Sequence, residues 1–269
     1  MPVHAVLIAT LDRTNLLVRA LKSISIQTCK PDRIVIVDDS REPDIEALER
    51  IGTEFDLNLE ILANRRTVGA SGAWNTGLDH LVRQVSDPYN IIVSILDDDD
   101  WWEPDYLHHV SASFDTDIEV VAGELIRHDE SSPEGRLIAA PNALLADDFL
   151  VGNPGIQGSN LSLRLSTLLQ AGLFDEALAS CTDRDLCIRL ADLGARYRAA
   201  PRAIAHHDCI HGAVRLSDPT CKAKCQGLET FHAKWRLRMT SKQYEASTKR
   251  ALRLFGWAPA VNKSAAPNA

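Results

Sequence analysis

Three runs, Val6-Leu7-Ile8-Ala9, Ile34-Val35-Ile36-Val37 and Ile91-Ile92-Val93-Ser94-Ile95-Leu96, carry almost no polar interruption, and they restrict the fold more than any other feature. A strand with one wet face alternates apolar and polar residues, whereas an unbroken apolar strand is covered on both sides, as in parallel sheets flanked by helices. Helical spacing fills the gaps: Leu16, Leu17, Ala20, Leu21 and Ile24 after the first run, then Ile45, Leu48 and Ile51 closed by Gly52. Leu57 to Leu62 reads as a further strand, and Ser71 as the cap of a helix carrying Trp74, Leu78, Leu81 and Val85. The expected fold is α/β, Rossmann-like, with a mainly parallel sheet flanked by helices. In such sheets ligands collect beyond the carboxyl ends of the strands.

Those ends carry the chain's most unusual residues. Asp38-Asp39 closes the second run, Thr10 the first, and Asp97-Asp98-Asp99-Asp100 the third, followed at once by Trp101-Trp102-Glu103-Pro104. Four adjacent carboxylates repel one another and are costly to desolvate, so a strand tip tolerates them only where water, donors or a cation reach in. A divalent metal is the simplest partner, since Mg²⁺ and Mn²⁺ prefer carboxylate oxygen and Mg²⁺ needs only one or two such ligands beside a substrate phosphate. The bland alternative is a solvated acidic turn before a helix that begins near Pro104. A third acidic segment, Thr182-Asp183-Arg184-Asp185, opens a helix far downstream, where the dipole favours negative charge.

Composition narrows the function classes. A net charge of −8, from 29 basic and 37 acidic residues, argues against nonspecific nucleic-acid binding, which relies on accumulated Lys and Arg. No apolar stretch approaches the roughly 20 residues needed to span a bilayer, and the start lacks a signal-peptide pattern, so a cytoplasmic location is the default expectation. Six scattered cysteines do not suggest a disulfide framework, and Cys221-x-x-x-Cys225 has no second pair to complete a structural zinc site.

Beyond Val120-Val121-Ala122-Gly123 the pattern changes. Residues 127 to 157 are polar or rich in Pro and Gly and read as a mobile loop over the site. Helical spacing returns at Leu165 to Ala171 and Leu186 to Leu193. From Pro219 to about Trp257 the chain is helical and basic, a face that suits an anionic acceptor, a peripheral membrane contact, a partner or plain solvent. The expected organisation is a domain over 1–215, divided into parts of about 1–126 and about 127–215. A helical extension over 216–257 and a disordered tail over 258–269 complete it.

Taken in order, the pieces resemble the inverting glycosyltransferases of family 2, which have the GT-A fold. They are Thr10 after the opening strand, Ser25-Ile26-Gln27-Thr28, Val37-Asp38-Asp39-Ser40, Asn64 through Gly69 to Ala73-Trp74-Asn75-Thr76-Gly77, Leu96 to Asp100 with Pro104, Gly172-Leu173-Phe174-Asp175, and Asp183-Arg184-Asp185-Leu186 with Arg189. Each is weak alone; their order and spacing carry the resemblance, which spans about Val3 to His211.

The resemblance implies a metal-dependent transferase that moves a sugar from a nucleotide diphosphate donor, a UDP-sugar above all, to an acceptor the sequence does not identify. It places Asp39 on the nucleotide base, where a carboxylate accepts the uracil N3 hydrogen, and Thr10 and Asp12 beside the nucleoside. Asp97-x-Asp99 overlays the metal motif, with Asp97 toward the ribose or metal and Asp99 ligating Mn²⁺ or Mg²⁺; Asp98 and Asp100 leave a second register open. Asp183 takes the place of the general base, with Asp185 its close competitor. His211 follows an apolar run where related enzymes supply a histidine to the metal. Trp102, Ser159 and Asn160, with Asp185, fall where the acceptor or sugar binds.

Two departures stand out. Trp74 occupies a position where the family carries arginine, leaving Arg65 or Arg66 to serve the donor, and Thr182 replaces a glutamate before Asp183. These departures favour a rival reading, a silent nucleotide-sugar-binding module. A nucleotidyltransferase is a further alternative, although the first loop, Thr10-Leu11-Asp12-Arg13-Thr14, lacks the glycines such enzymes use.

Overall fold

A computed structural model describes residues 2–210 and 221–259. The three apolar runs become β1 (Val3–Thr10), β2 (Arg33–Asp38) and β4 (Ile91–Asp97), joined by β3 (Leu59–Ala63). They lie in the order β3-β2-β1-β4, all parallel, with Ala5 to Thr10 paired to Arg33 to Asp38 and Val3 to Ala9 paired to Ile91 to Asp97. Register therefore brings Thr10, Asp38 and Asp97 to one edge of the sheet.

Alternate residues of these strands feed two cores. Val6, Ile8, Ile34 and Ile36 pack with Leu17, Leu21 and Ile24 of α1 (Thr14–Ser25) and Leu48 of α2 (Ile45–Glu54). Ala5, Leu7, Val35 and Val37 pack with Trp74, Leu78 and Leu81 of α3 (Ala70–Gln84). Gly77 lets α3 approach the sheet closely, since a β-carbon there would overlap Leu7. The helix starts one residue earlier than its expected cap. Gly69, at φ 124°, supplies the turn, and Ser71 is buried inside the helix.

The second half of the sheet is mixed. β5 (Trp101–Trp102) and α4 (Tyr106–Ser113) precede β6 (Val120–Asp129), and β8 (Leu161–Arg164) inserts antiparallel between β4 and β6. β9 (Tyr197–Asp208) runs parallel to β6 and antiparallel to β5. Residues 127–157, expected as a mobile loop, are instead largely structured. β6 turns at Asp129, whose Oδ1 accepts from the Ser131 and Ser132 amides, into β7 (Ser132–Ile138), and α5 (Ala146–Val151) follows. Their polarity misled because β7 pairs only with β6; an edge strand tolerates exposed polar residues and a proline near its start. The expected division at 126/127 falls inside β6.

α6 (Leu165–Gln170) and α7 (Thr182–Asp192) lead to β9, and the basic end forms α8 (Lys222–Trp235) and α9 (Ser241–Phe255). α9 opens with a capping box in which Thr240 Oγ1 accepts from the Gln243 amide, and Gly256 closes it in the left-handed region. Among the described residues no helix is long and apolar enough to cross a membrane. His211, the 215/216 boundary and most of the expected disordered tail lie outside the described residues.

Candidate active site

Thr10 is the joint between two parts of the site. Its carbonyl accepts from the Asp39 amide at 2.8 Å, and its hydroxyl donates to Asp98 Oδ2 at 2.9 Å. On the β2 side lies a cavity of about 460 Å³ lined by Leu11, Asp12, Asp39, Ser40, Arg41, Asn64, Arg66 and Val68. Asp12 sits at φ 51°, in the left-handed region, and its amide donates to Ser40 Oγ at 3.0 Å. Asp39 is the hub: Oδ1 accepts from Asn64 Nδ2 and Oδ2 from the Gly69 amide, each at 2.6 Å. The carboxylate thus staples the loop before α3 while lining the cavity. Arg66 also lines it, but its guanidinium engages Asp79 Oδ2 at 2.8 Å and Glu176 Oε1 at 2.7 Å.

On the β4 side the aspartates separate by environment. A turn closed by the Asp100 amide on the Asp97 carbonyl at 3.2 Å carries all four. Asp100 is fully buried and accepts from Ser159 Oγ at 2.5 Å and the Asp208 amide at 3.1 Å, with His207 Nδ1 at 3.2 Å. Burial lowers the basicity of His207, but the Asp100 charge overrides it and holds the ring well above the usual histidine range. Arg13 Nη1 lies 3.3 Å from Asp98 and 3.5 Å from Asp99. Burial, then the Asp99 charge, pushes Asp98 up to about 6. Burial pushes Asp97 up as well, followed by the fields of Asp100, Asp99 and Asp183.

Asp183 reaches this cluster from the first turn of α7. Cys181 precedes it in the left-handed region at φ 65° and sets the entry of the helix. Oδ1 of Asp183 is buried with no hydrogen-bond partner among the described residues, and burial pushes its carboxyl up to about 6 against the nearby charges of Lys224 and His207. A carboxylate poised near neutrality, with an unused oxygen, is suited to taking a proton.

Four of the expected acceptor contacts are placed differently. Trp102 is 1% exposed, stacks on Tyr106 at 4.3 Å and donates through Nε1 to the Ser159 carbonyl. It is core and presents no face to a sugar. Ser159 and Asn160 are fully buried: Ser159 serves Asp100 and the Asp97 amide, and Asn160 Nδ2 donates to the Gly123 and Gly155 carbonyls. Asp185 is fully buried under Arg189, Lys234 and Trp235. These side chains build the floor and do not line an opening. Trp74 is likewise core, packed on Phe174 with ring centroids 4.7 Å apart.

Sequence reasoning left out Arg13 and Arg19, and of His207 and His211, which follow the Ala203-Ile204-Ala205 run, it assigned a site role to His211 and not to His207. Arg19 spans Asp208, at 2.7 Å, and the Asp99 carbonyl, and covers the Trp101 ring at 4.2 Å. The signal was the placement of His206-His207-Asp208 at the end of β9, opposite Trp101 in the antiparallel ladder. The donor set suits a hard divalent cation. Asp97 and Asp99 bring carboxylate oxygens to the site, and burial first, then the neighbouring negative charge, raises Asp97 and Asp98. Among the described residues no group of three or more His, Cys, Asp or Glu side chains is arranged to hold a metal ion by itself.

The likeness to proteins of known structure follows the same lines. A mannosyltransferase from Pyrobaculum calidifontis, solved with GDP-Man and Mn²⁺, superposes at a TM-score of 0.59 with 19% identity, covering 91% of this chain and 68% of its own. TarS from S. aureus, solved with UDP-GlcNAc, gives 0.64 and 17%, covering 94% and 73%. At these identities the likeness establishes the GT-A fold. Pre-mycofactocin glycosyltransferase from Mycobacterium tuberculosis H37Rv is 29% identical over 188 residues, 65% of this chain; the alignment spans 37% of that relative's length. The family model described as glycosyl transferase family 2 matches residues 5–164, more than half of the sequence, and the chain belongs to that family.

Proposed function

We propose that this chain is an inverting, metal-dependent glycosyltransferase that moves a sugar from a uridine diphosphate donor to an acceptor nucleophile. One observation carries the reading: residues 86 positions apart, Asp97 and Asp183, share one electrostatic cluster, a single threonine away from a cavity of nucleoside size.

In this reading Asp39 accepts the uracil N3 hydrogen, Leu11 and Val68 flank the base, and Asp12 lies beside the ribose. Asp97 and Asp99 hold Mn²⁺ or Mg²⁺, which when bound offsets the charge that develops on the departing diphosphate. Arg13 keeps Asp98 and Asp99 in place by partly neutralising them. Asp183 Oδ1 takes the proton of the acceptor hydroxyl while its oxygen bonds to the anomeric carbon and the bond from that carbon to the phosphate oxygen breaks. Attack opposite the leaving group inverts the configuration.

Asp99→Ala tests this. With UDP-GlcNAc and GDP-Man as donors and Mn²⁺ titrated, the variant should keep its fold and lose Mn²⁺-dependent donor cleavage. An undiminished rate removes Asp99 from metal binding. A wild-type chain that binds UDP and never turns over any donor is the silent module instead.

A further inference from the structure

The proposed base sits on α7, yet two of the three side-chain donors to Asp185 in its first turn come from α8. Asp185, fully buried two residues beyond Asp183 in the same turn, receives Trp235 Nε1 at 2.9 Å and Lys234 Nζ at 2.7 Å on Oδ1, and Arg189 Nε at 2.8 Å on Oδ2. Lys234 also reaches Asp175 Oδ2 at 2.6 Å, tying α8 to the loop before α7. A second contact lies at the other end of α8. Gly227 packs so closely on Ser180 that a β-carbon would overlap its backbone nitrogen, and Ser180 Oγ donates to the Lys224 carbonyl at 3.2 Å. Ser180 and Cys181 form the bend that aims the first turn of α7.

We infer that α8 is part of the catalytic apparatus: Lys234 and Trp235 are positioning residues that act through Asp185 to hold the Asp183 carboxylate against the aspartate cluster. The inference rests on the reading of Asp183 as the base. Neither residue lines the nucleotide cavity, so their loss should leave donor binding alone. With the two donors gone, the buried Asp185 charge draws in water or swings outward, and the turn carrying Asp183 loosens with it. Asp183 then gains solvent and becomes a weaker, misaimed base.

The test compares wild type with Trp235→Phe and the pair Lys234→Met/Trp235→Phe, all shown folded by thermal melts. Amide hydrogen exchange should quicken in residues 181–186 and stay unchanged in 97–100. The rate of Mn²⁺-dependent UDP-sugar cleavage should fall at least tenfold with KM and UDP affinity within twofold, and its acid limb should move to lower pH. Lys234→Arg, which keeps a cation on Asp185, should remain near wild type. Should the pair fail to fold, Trp235→Phe alone decides. Unchanged exchange and rate in a folded variant overturn the inference, as does a loss confined to UDP affinity. Asp183→Asn separates the two levels: if it is dead while the pair is fully active, only the role of α8 falls; if it turns over like wild type, the base assignment falls first.

Discussion

Asp39 is asked to do two jobs, and Asp39→Asn divides them. The carboxylate accepts at 2.6 Å from both Asn64 Nδ2 and the Gly69 amide. An asparagine offers one acceptor and one donor, so it satisfies one of these and presents an N–H to the other. Flipping Asn64 is no remedy, because its Oδ1 already accepts from the Arg66 amide at 2.9 Å and from Thr76 Oγ1 at 2.7 Å. Losing one hydrogen bond to a charged, half-buried group costs about 2 kcal/mol. In a chain of this size that lowers the melting temperature by about 5 °C.

The base contact adds a separate loss. Replacing the acceptor for the uracil N3 hydrogen with an amide removes a second charged hydrogen bond, and about 2 kcal/mol weakens UDP binding about 30-fold. Asn64→Ala provides the control, since it breaks the staple and spares the carboxylate. Calorimetric titration of UDP, with and without Mn²⁺, should rank wild type above Asn64→Ala and Asn64→Ala well above Asp39→Asn, with similar melts for the two variants. Equal affinities in the two variants would refute the base contact and leave Asp39 as a loop staple alone.

Three further outcomes are expected. Because a base works only when ionised and Asp183 sits at about 6, the pH profile of donor cleavage should rise through pH 6, falling tenfold per unit below it; Asp183→Asn should lose that limb and about 10²- to 10⁴-fold in rate. His4, buried with Nε2 at 2.7 Å from Ser94 Oγ, is pushed down to about 4 by burial against the Asp32 field, from 6.5 when unfolded. Its neutral form is the folded one, so its contribution to stability is intact above pH 6.5 and falls as pH drops toward 4. The difference between wild type and His4→Gln in urea unfolding should therefore change by about 2 kcal/mol from pH 7.5 to pH 5. Gly72→Ala should destabilise by about 3 kcal/mol in thermal melts, because its β-carbon would overlap the Thr67 carbonyl, a backbone atom that cannot swing aside.

The parallel half of the fold was legible because burial on both faces writes itself into unbroken apolar runs; Ile34 to Val37 and Ile91 to Leu96 are β2 and β4 to within a residue at each end, and Val6 to Ala9 lies inside β1, which starts three residues earlier. Strand parity then put Thr10, Asp39 and Asp97 at one edge without any knowledge of the rest. The mixed half was harder. β7 is half-buried only at Ser132, Gly135 and Ile138 and exposed between them, so it lacks the two-residue alternation that marks a strand. β8 holds only four residues, and its place between β4 and β6 depends on partners distant in sequence.

Within the site, the sequence distinguished residue type but not which way each residue faces. Trp102, Asn160 and Asp185 are polar or amphipathic groups near the expected chemistry, and each proves to be buried with its partners supplied by the protein. Asp97, Asp98 and Asp183 show the opposite pattern: their burial is incompletely compensated, and each carboxyl is pushed up as a result. Satisfied polar groups build structure, while the incompletely satisfied ones mark where a ligand must bring the missing partner. That difference is a property of packing among strands far apart in the chain. The four consecutive aspartates illustrate it within one turn: Asp100 is held by Ser159, His207 and the Asp208 amide as part of the scaffold, and the proposed reading gives Asp97 and Asp99 of the same turn to the cation.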